Sequence, residues 1–178
     1  ADGCIRPDTN LEGLSGLKPA FSATGSVTAG TSSPLTDGAA ATLVCSAEYA
    51  REHNLTPLAV IRSMAINGCD PDVMGLGPIG ATRKALKRAG LEMGDIDIVE
   101  LNEAFASQSI ACINDLGMDL ERINLDGGAI AIGHPLGATG ARITGKAAAL
   151  LKREGKKYAL STQCIGGGQG IATIMEAA

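Results

Sequence analysis

From residue 58 onward the sequence alternates short apolar runs with amphipathic segments, and this alternation restricts the possible folds more than any other feature. The apolar runs have the length of buried strands, and the amphipathic segments have the period and the glycine stops of helices. The predicted strands are 58–66, 96–101, 123–125, 157–165 and 171–176, and the predicted helices are 78–89, 104–116 and 137–153. This βαβαβαββ order predicts an α/β layered domain with a mixed five-stranded sheet flanked by helices, largely parallel with an antiparallel last strand.

Residues 1–57 have a different character. Prolines and a run rich in serine and threonine make residues 1–36 loop-like. An apolar run at 39–45 predicts a strand, and 46–53 predicts a helix with Ser46 as its N-cap. We therefore expect two units, 1–57 and 58–178, of which the second carries the alternating order.

The composition excludes several classes of protein. A net charge of −4 without a long Lys/Arg cluster argues against nucleic-acid binding. No window reaches the roughly 18 uninterrupted apolar residues of a membrane span. The five cysteines are odd in number, widely spaced and free of CxxC pairs, which favours a reducing compartment over a disulfide scaffold or a metal site. We therefore expect a reducing compartment such as the cytoplasm.

His134, one of two histidines, stands between Gly133 and Pro135. Glycine permits a positive φ and proline fixes φ, so the backbone holds this side chain in one direction. A lone histidine is more often structural, but so specific a backbone favours a candidate acid/base. The other histidine, His53, lies among polar residues at a helix end, and we expect it to be solvated.

Two polar side chains follow the predicted strand 96–101, where open α/β sheets bind ligands. They are Asn102 and Glu103. Taken alone, Asn102 is more simply interpreted as the N-cap of the helix starting at Ala104, and Glu103 could satisfy backbone donors at the same helix start. The functional alternative is that both contribute to a site at this sheet edge.

Cys164 ends another predicted strand and is followed by the glycines of 166–168. A buried cysteine is normally an inert small hydrophobic residue. The glycines remove neighbouring side chains and free backbone N–H groups, which suits a reactive thiol beside an oxyanion hole. A phosphate loop is disfavoured because no Lys-Ser/Thr follows. Asn102, His134 and Cys164 are expected to meet in one pocket.

Three segments together resemble the motifs of the thiolase family. They are 102–105 (Asn-Glu-Ala-Phe), 127–142 (Gly-Gly-Ala-Ile-Ala-Ile-Gly-His-Pro through Gly-Ala-Thr-Gly-Ala-Arg) and 164–170 (Cys-Ile-Gly-Gly-Gly-Gln-Gly). The resemblance covers essentially the whole chain and implies a thiolase-like layered fold, with 1–57 as the tail of the N-terminal half and 58–178 as the C-terminal half. Residues 5–9, 28–33 and 61–65 are more similar to degradative 3-ketoacyl-CoA thiolases than to acetoacetyl-CoA-synthesising relatives.

The resemblance implies an acyltransferase of fatty-acid β-oxidation that uses CoA as a substrate and needs no tightly bound cofactor or metal. A nucleophilic cysteine of the N-terminal half attacks the 3-ketoacyl-CoA, acetyl-CoA leaves, and CoA takes the acyl group. By the same resemblance, His134 activates the nucleophile, and Asn102, through a bound water, helps His134 hold the thioester oxygen. Cys164 is the second acid/base, and the amide of Gly166 contributes to a second oxyanion hole.

The resemblance also implies a substrate site and an assembly. Ser33 and Ala29 match positions that contact the pantetheine arm, and Met74 and Phe105 match the apolar wall near the acyl group. A homodimer or homotetramer is implied, with a β-oxidation partner subunit as a further expectation. In a eukaryote the resemblance implies a mitochondrial or peroxisomal location. None of the cysteines present lies in the family's nucleophile motif, so the chain alone is expected to be inactive.

Three alternatives stay open. A biosynthetic thiolase would condense two acetyl-CoA molecules into acetoacetyl-CoA with the same residues. A ketoacyl synthase would carry histidine or asparagine in the place of Cys164, which argues against it. A non-catalytic CoA-binding or oligomerisation module is the alternative from a different class, and it would bind CoA without turnover.

Overall fold

The computed structural model describes residues 3–178 and has a mixed four-stranded sheet flanked by helices. The strand order is β1-β4-β3-β2, with β2 parallel to β3 and β4 antiparallel to both β1 and β3. The strands are β1 (Ala59–Gly68), β2 (Ile98–Leu101), β3 (Tyr158–Ile165) and β4 (Gln169–Ala177). The predicted α/β fold is confirmed, and the antiparallel last strand, β4, lies between β1 and β3.

The helices are short in the first part of the chain and longer around the sheet. They are α1 (Leu11–Ser15), α2 (Ala47–Glu52), α3 (Gly77–Ala89), α4 (Ala106–Leu116), α5 (Ala129–Ile132) and α6 (Thr139–Glu154). As the sequence predicts, α3 and α4 end at Gly90 and Gly117, whose φ angles of 69° and 63° are left-handed. Ser46 caps α2, because its side chain accepts a hydrogen bond from the backbone of Tyr49.

The sheet separates two apolar clusters, which makes three layers. Neighbouring residues of β2 alternate between them: Val99 belongs to the cluster under α3 and α4, and Ile98 to the cluster under α6. Small residues bring the helices close, since Ala81 and Ala85 of α3 and Ala147 of α6 are fully buried. A core of alanine and aliphatic residues agrees with a sequence that is only 2% aromatic.

Two predicted strands differ from the structure. The fifth strand, 123–125, is reduced to a single parallel bridge between Val99 and Ile123, because Asn124 has a left-handed φ of 48° that no strand accommodates. The strand predicted at 39–45 is wrong: these residues are exposed and have no strand pairing within residues 3–178. The segment is apolar enough for a strand. A strand also needs a neighbouring strand to form hydrogen bonds with its backbone N–H and C=O groups.

The first part of the chain contacts the carboxyl end of β2. Ser32 forms a bridge with Phe105, Leu35 forms one with His134, and the backbone N–H of Ser33 donates to Ala104 at 3.1 Å. The division of the chain into two units at residue 57 stays a prediction.

No helix in the described part of the chain is long and apolar enough to cross a membrane.

Candidate active site

The carboxyl end of β2 presents Asn102 to the site. Its backbone N–H donates to Thr162 of β3 at 3.0 Å, and the residue is 1% exposed. Its side-chain Nδ2 lies 3.4 Å from Nε2 of His134. The N-cap position of α4 is held by Phe105, so the interpretation of Asn102 as a helix cap is wrong and its amide is directed to the histidine instead.

His134 is held both through its backbone and through its ring. The backbone N–H donates to Oγ1 of Thr36 at 3.1 Å, and ring Nδ1 lies 2.6 Å from Oγ1 of Thr139. Gly133 before it has a φ of 95°, and a side chain there would come within 2.6 Å of Thr36. Glycine is therefore required for both conformation and space, and the half-buried ring has a fixed direction.

Glu103 holds this loop in place through hydrogen bonds. Its carboxylate accepts hydrogen bonds from Nδ2 of Asn124 at 2.9 Å and from the backbone N–H of Ile130 at 3.1 Å. The helix whose start it satisfies is thus α5, which leads to His134, and not α4. Asn124 in turn exchanges two hydrogen bonds with the backbone of Leu101. The end of β2 and the histidine loop form one connected unit.

Cys164 lies near the end of β3, paired with Gly170 of β4, and is half-buried. Burial raises the pKa of its thiol above the ordinary value, so the group is protonated at neutral pH and can donate a proton. The glycines that follow have different functions. A side chain at Gly168 would strike the backbone of Cys69 and Pro71, whereas Gly166 is exposed and has open space around its Cα. Close packing explains why residue 168 is glycine, whereas no such contact restricts Gly166.

Seven of the eight residues predicted for the site line one cavity of about 490 Å³. Asn102 is the exception, and it reaches the cavity through its contact with His134. Phe21, which sequence reasoning missed, packs edge-to-face against Phe105 with ring centroids 6.1 Å apart. The predicted residues on the wall are Ala29, Ser33, Met74, Phe105, His134, Cys164 and Gly166.

The electrostatics favour a neutral histidine. Burial lowers the pKa of His134, and the positive charge of Arg142 lowers it further. A neutral imidazole at physiological pH can accept a proton.

A second shifted group is the carboxyl of Glu100. Glu100 is 1% exposed, and its burial raises its pKa to about 7 against the opposing charges of Arg142 and Lys146.

No three His, Cys, Asp or Glu side chains within residues 3–178 form a metal-binding group.

Three supporting residues were not predicted from the sequence, namely Thr36, Asn124 and Thr139. Thr36 and Asn124 act over long sequence separations, which local patterns do not report. Thr139 lies five residues after His134 at the first position of α6, and this spacing was the available signal. A hydroxyl one helical turn beyond a histidine loop can fold back to the ring.

Models of two family domains match the chain. The domain described as "Thiolase, C-terminal domain" matches residues 55–177, and "Thiolase, N-terminal domain" matches residues 1–48. The chain is 60% identical over 176 residues to a 3-ketoacyl-CoA thiolase of Aliivibrio salmonicida, covering 97% of this chain and 46% of the relative. It is 59% identical over 179 residues to a 3-ketoacyl-CoA thiolase of Cronobacter sakazakii, covering 98% of this chain and 46% of that relative.

Solved structures give the same result. Human mitochondrial 3-ketoacyl-CoA thiolase in complex with CoA matches with a TM-score of 0.92 and 46% identity, over 99% of this chain and 45% of that one. An acetyl-CoA acetyltransferase of Bacillus anthracis matches with a TM-score of 0.95 and 45% identity, again over 99% of this chain and 45% of the other. The chain spans less than half the length of these relatives.

Proposed function

The chain belongs to the thiolase family, and from that premise we propose that it supplies the acid–base side of a degradative thiolase. The reaction is the cleavage of a 3-ketoacyl-CoA by CoA into acetyl-CoA and a shortened acyl-CoA. The observation that carries the proposal is the common cavity of His134 and Cys164, with Asn102 3.4 Å from the histidine ring. The 3-ketoacyl-CoA thiolases among its relatives support the degradative assignment.

In the first step His134 acts as the base. Its lowered pKa keeps the ring neutral, so it accepts the proton of the nucleophilic cysteine that the family carries in its N-terminal half. The thiolate adds to the 3-keto carbon and the bond between C2 and C3 breaks. The electron pair moves into the acetyl-CoA enolate, whose oxygen is held by protonated His134 and, through a bound water, by Asn102.

In the next steps Cys164 moves protons in both directions. Its thiol gives its proton to the enolate carbon and completes acetyl-CoA. The resulting thiolate then takes the proton of the incoming CoA thiol, which attacks the acyl-enzyme while the amide of Gly166 stabilises the oxyanion. The nucleophilic cysteine leaves as a thiolate and takes its proton back from His134. Two thiols exchange a proton efficiently because their ordinary pKa values, about 8.5 for cysteine, are close to one another.

The cavity walls divide according to the parts of the substrate. Ser33 and Ala29 contact the pantetheine arm of CoA, and Met74 and Phe105 form an apolar wall against the acyl group, with Phe21 packed beside it. CoA is the substrate, and the mechanism requires no tightly bound cofactor. We also propose a homodimer or homotetramer, with a β-oxidation partner subunit, in a reducing compartment such as the cytoplasm.

A chimera tests this function. The chain replaces the segment it matches in the 60% identical thiolase of Aliivibrio salmonicida, and thiolysis of 3-ketoacyl-CoA substrates is measured. The chimera should cleave them, and the same chimera with His134→Ala should lose most activity. A folded chimera that binds CoA without cleaving any substrate would instead support a binding module.

The biosynthetic direction is the second candidate, favoured by the TM-score of 0.95 with an acetyl-CoA acetyltransferase. Both directions use the same residues, so substrate length separates them. A degradative enzyme should cleave 3-ketoacyl-CoA substrates with long acyl chains as well as acetoacetyl-CoA. Activity limited to acetoacetyl-CoA and to the condensation of acetyl-CoA would favour the biosynthetic enzyme.

A further inference from the structure

We propose that Thr139 is a positioning residue that fixes the tautomer of His134, with the proton on Nδ1 and a free lone pair on Nε2. The consequence for catalysis rests on the proposed function. The tautomer itself is a property of the chain and can be measured without any substrate.

The single proton of the Thr139 hydroxyl determines the direction of the contact. Oγ1 donates to the backbone carbonyl of Pro135 at 3.0 Å, and the same oxygen lies 2.6 Å from Nδ1 of His134. A hydroxyl has one proton to donate and two lone pairs to accept with. Since that proton is directed to Pro135, the short contact requires Nδ1 to carry a proton and donate it to Thr139.

The other side of the ring agrees independently. Nε2 faces Nδ2 of Asn102 at 3.4 Å, and an amide nitrogen is a donor only. A proton on Nε2 would direct two donors at each other, whereas a lone pair on Nε2 accepts from the amide. The reverse arrangement would require both the Thr139 hydroxyl and the Asn102 amide to be turned around.

Thr139 and Asn102, the two residues that contact the ring nitrogens of His134, are both held in place. Thr139 is fully buried and Asn102 is 1% exposed, so water does not compete readily for either group. The backbone N–H of Thr139 also donates to the carbonyl of Pro135 at 3.0 Å, and a β-branched side chain has restricted χ1 rotation. The hydroxyl is therefore held between the carbonyl and the ring.

For the proposed reaction, this tautomer prepares the base. The nitrogen without a proton is the one beside Asn102, where the thioester oxygen is held. Nε2 accepts the proton of the nucleophile and, with that proton, donates a hydrogen bond to the developing oxyanion, while Nδ1 keeps its own proton throughout. One imidazole can thus act as base and as oxyanion donor in succession without rotating.

Nitrogen NMR of the chain with labelled histidines tests the inference. Long-range correlations distinguish a protonated ring nitrogen from one with a free lone pair, and only two histidines contribute signals. In the unsubstituted chain and in Thr139→Ser, which keeps the hydroxyl, His134 should be protonated on Nδ1 with Nε2 free. In Thr139→Val, which keeps the shape but lacks the hydroxyl, the Nε2-protonated form should appear.

His53 is the internal reference, because it is exposed and packs on the ring of Tyr49 at 4.1 Å between centroids. Its signals should be the same in all three chains. Nε2 protonation of His134 in the unsubstituted chain would overturn the inference, as would an unchanged Nδ1–H form in Thr139→Val. If Thr139→Val does not fold, Thr139→Ala, which also lacks the hydroxyl, takes its place with the same expected and contradicting results.

Activity in the chimera separates this inference from the proposed function. Thr139→Val should slow acylation by a factor within the roughly 10²–10⁴ typical of general base catalysis, and Thr139→Ser should restore it. A chimera that is inactive although His134 has the Nδ1–H tautomer would count against the function alone. An active chimera whose His134 is protonated on Nε2 would count against the role of Thr139 alone.

Discussion

The carboxylate of Glu103 accepts a hydrogen bond from the backbone N–H of Ile130 at 3.1 Å. This contact joins the residue after Asn102 to the first turn of α5, the helix that leads to His134. Glu103 does not itself line the cavity. The distance between Asn102 and His134 thus depends on a carboxylate that has no contact with the proposed substrate site.

Gly128→Ala should break this connection. A side chain at Gly128 would overlap the carboxyl group of Glu103, so its hydrogen bonds to Asn124 and Ile130 would be lost. Leaving such groups unpaired costs roughly 1–3 kcal/mol. We expect a loss of this size in the free energy of unfolding, measured by urea denaturation.

The matched control for this prediction is Gly137→Ala. It lies in the same segment but has open space around its Cα and no left-handed φ. Its effect should stay within about 0.5 kcal/mol. Equal losses for the two substitutions would mean that the contact of Glu103 does not stabilise the loop.

Glu100→Gln should change the pH dependence of stability. The pKa of Glu100 is raised from 4.5 to about 7, so the folded chain binds this proton more tightly than the unfolded chain. Stability attributable to this group therefore falls as the pH rises from about 4.5 to 7. Glutamine mimics the protonated form and should remove that loss, which amounts to at most about 3 kcal/mol.

Urea denaturation at about pH 5 and about pH 8 checks this sign. Glu100→Gln should match the parent at the lower pH and exceed it at the higher one. Glu52→Gln, at an exposed position at the end of α2, should show no such difference. A Glu100→Gln variant less stable than the parent at both pH values would mean that the ionised carboxylate is stabilised by Arg142 and Lys146.

Local signals in the sequence were sufficient for much of the fold. The glycine stops of α3 and α4, and the cap at Ser46, depend on residues within one turn, so their predictions are confirmed. The strand predicted at 39–45 is wrong because strand formation depends on a distant neighbour. The fifth strand is reduced to a single bridge because Asn124 has a left-handed φ, and its side chain pairs with Leu101, a partner 23 residues away.

The site shows the same difference between local signals and long-range contacts. The position of Asn102, His134 and Cys164 at strand ends and in a loop between glycine and proline could be inferred from neighbouring residues. The partners of the ring could not, since Thr36 is 98 residues from His134. Neighbouring residues alone favour a helix cap for Asn102, whereas its side-chain partner is 32 residues away.

The 178-residue chain alone should not cleave acetoacetyl-CoA. None of its cysteines lies in the thiolase nucleophile motif, and loss of a covalent nucleophile typically costs many orders of magnitude. Thiolysis assays on the chain, with the chimera as the positive control, check this directly. Transfer of an acyl group to Cys164 or another cysteine, detected by intact mass, would show that the roles are misassigned.

Cys164→Ser in the chimera should impair proton transfer but permit the first acylation from a simple acyl-CoA. A serine hydroxyl is far less acidic than a thiol, so cleavage and synthesis should slow by roughly 10²–10⁴-fold. His134→Ala should instead slow acylation itself, because the nucleophile loses its base and the substrate oxygen loses a donor. Steady-state rates in both directions check the first expectation.

The division of work between His134 and Cys164 is tested most directly by single-turnover acylation of the chimera with a simple acyl-CoA. We expect a rate close to that of the parent for Cys164→Ser and a strongly reduced rate for His134→Ala. Equal loss of acylation in the two variants would contradict this division. Cys164 would then be a structural residue beside the glycine loop rather than the acid of the second step.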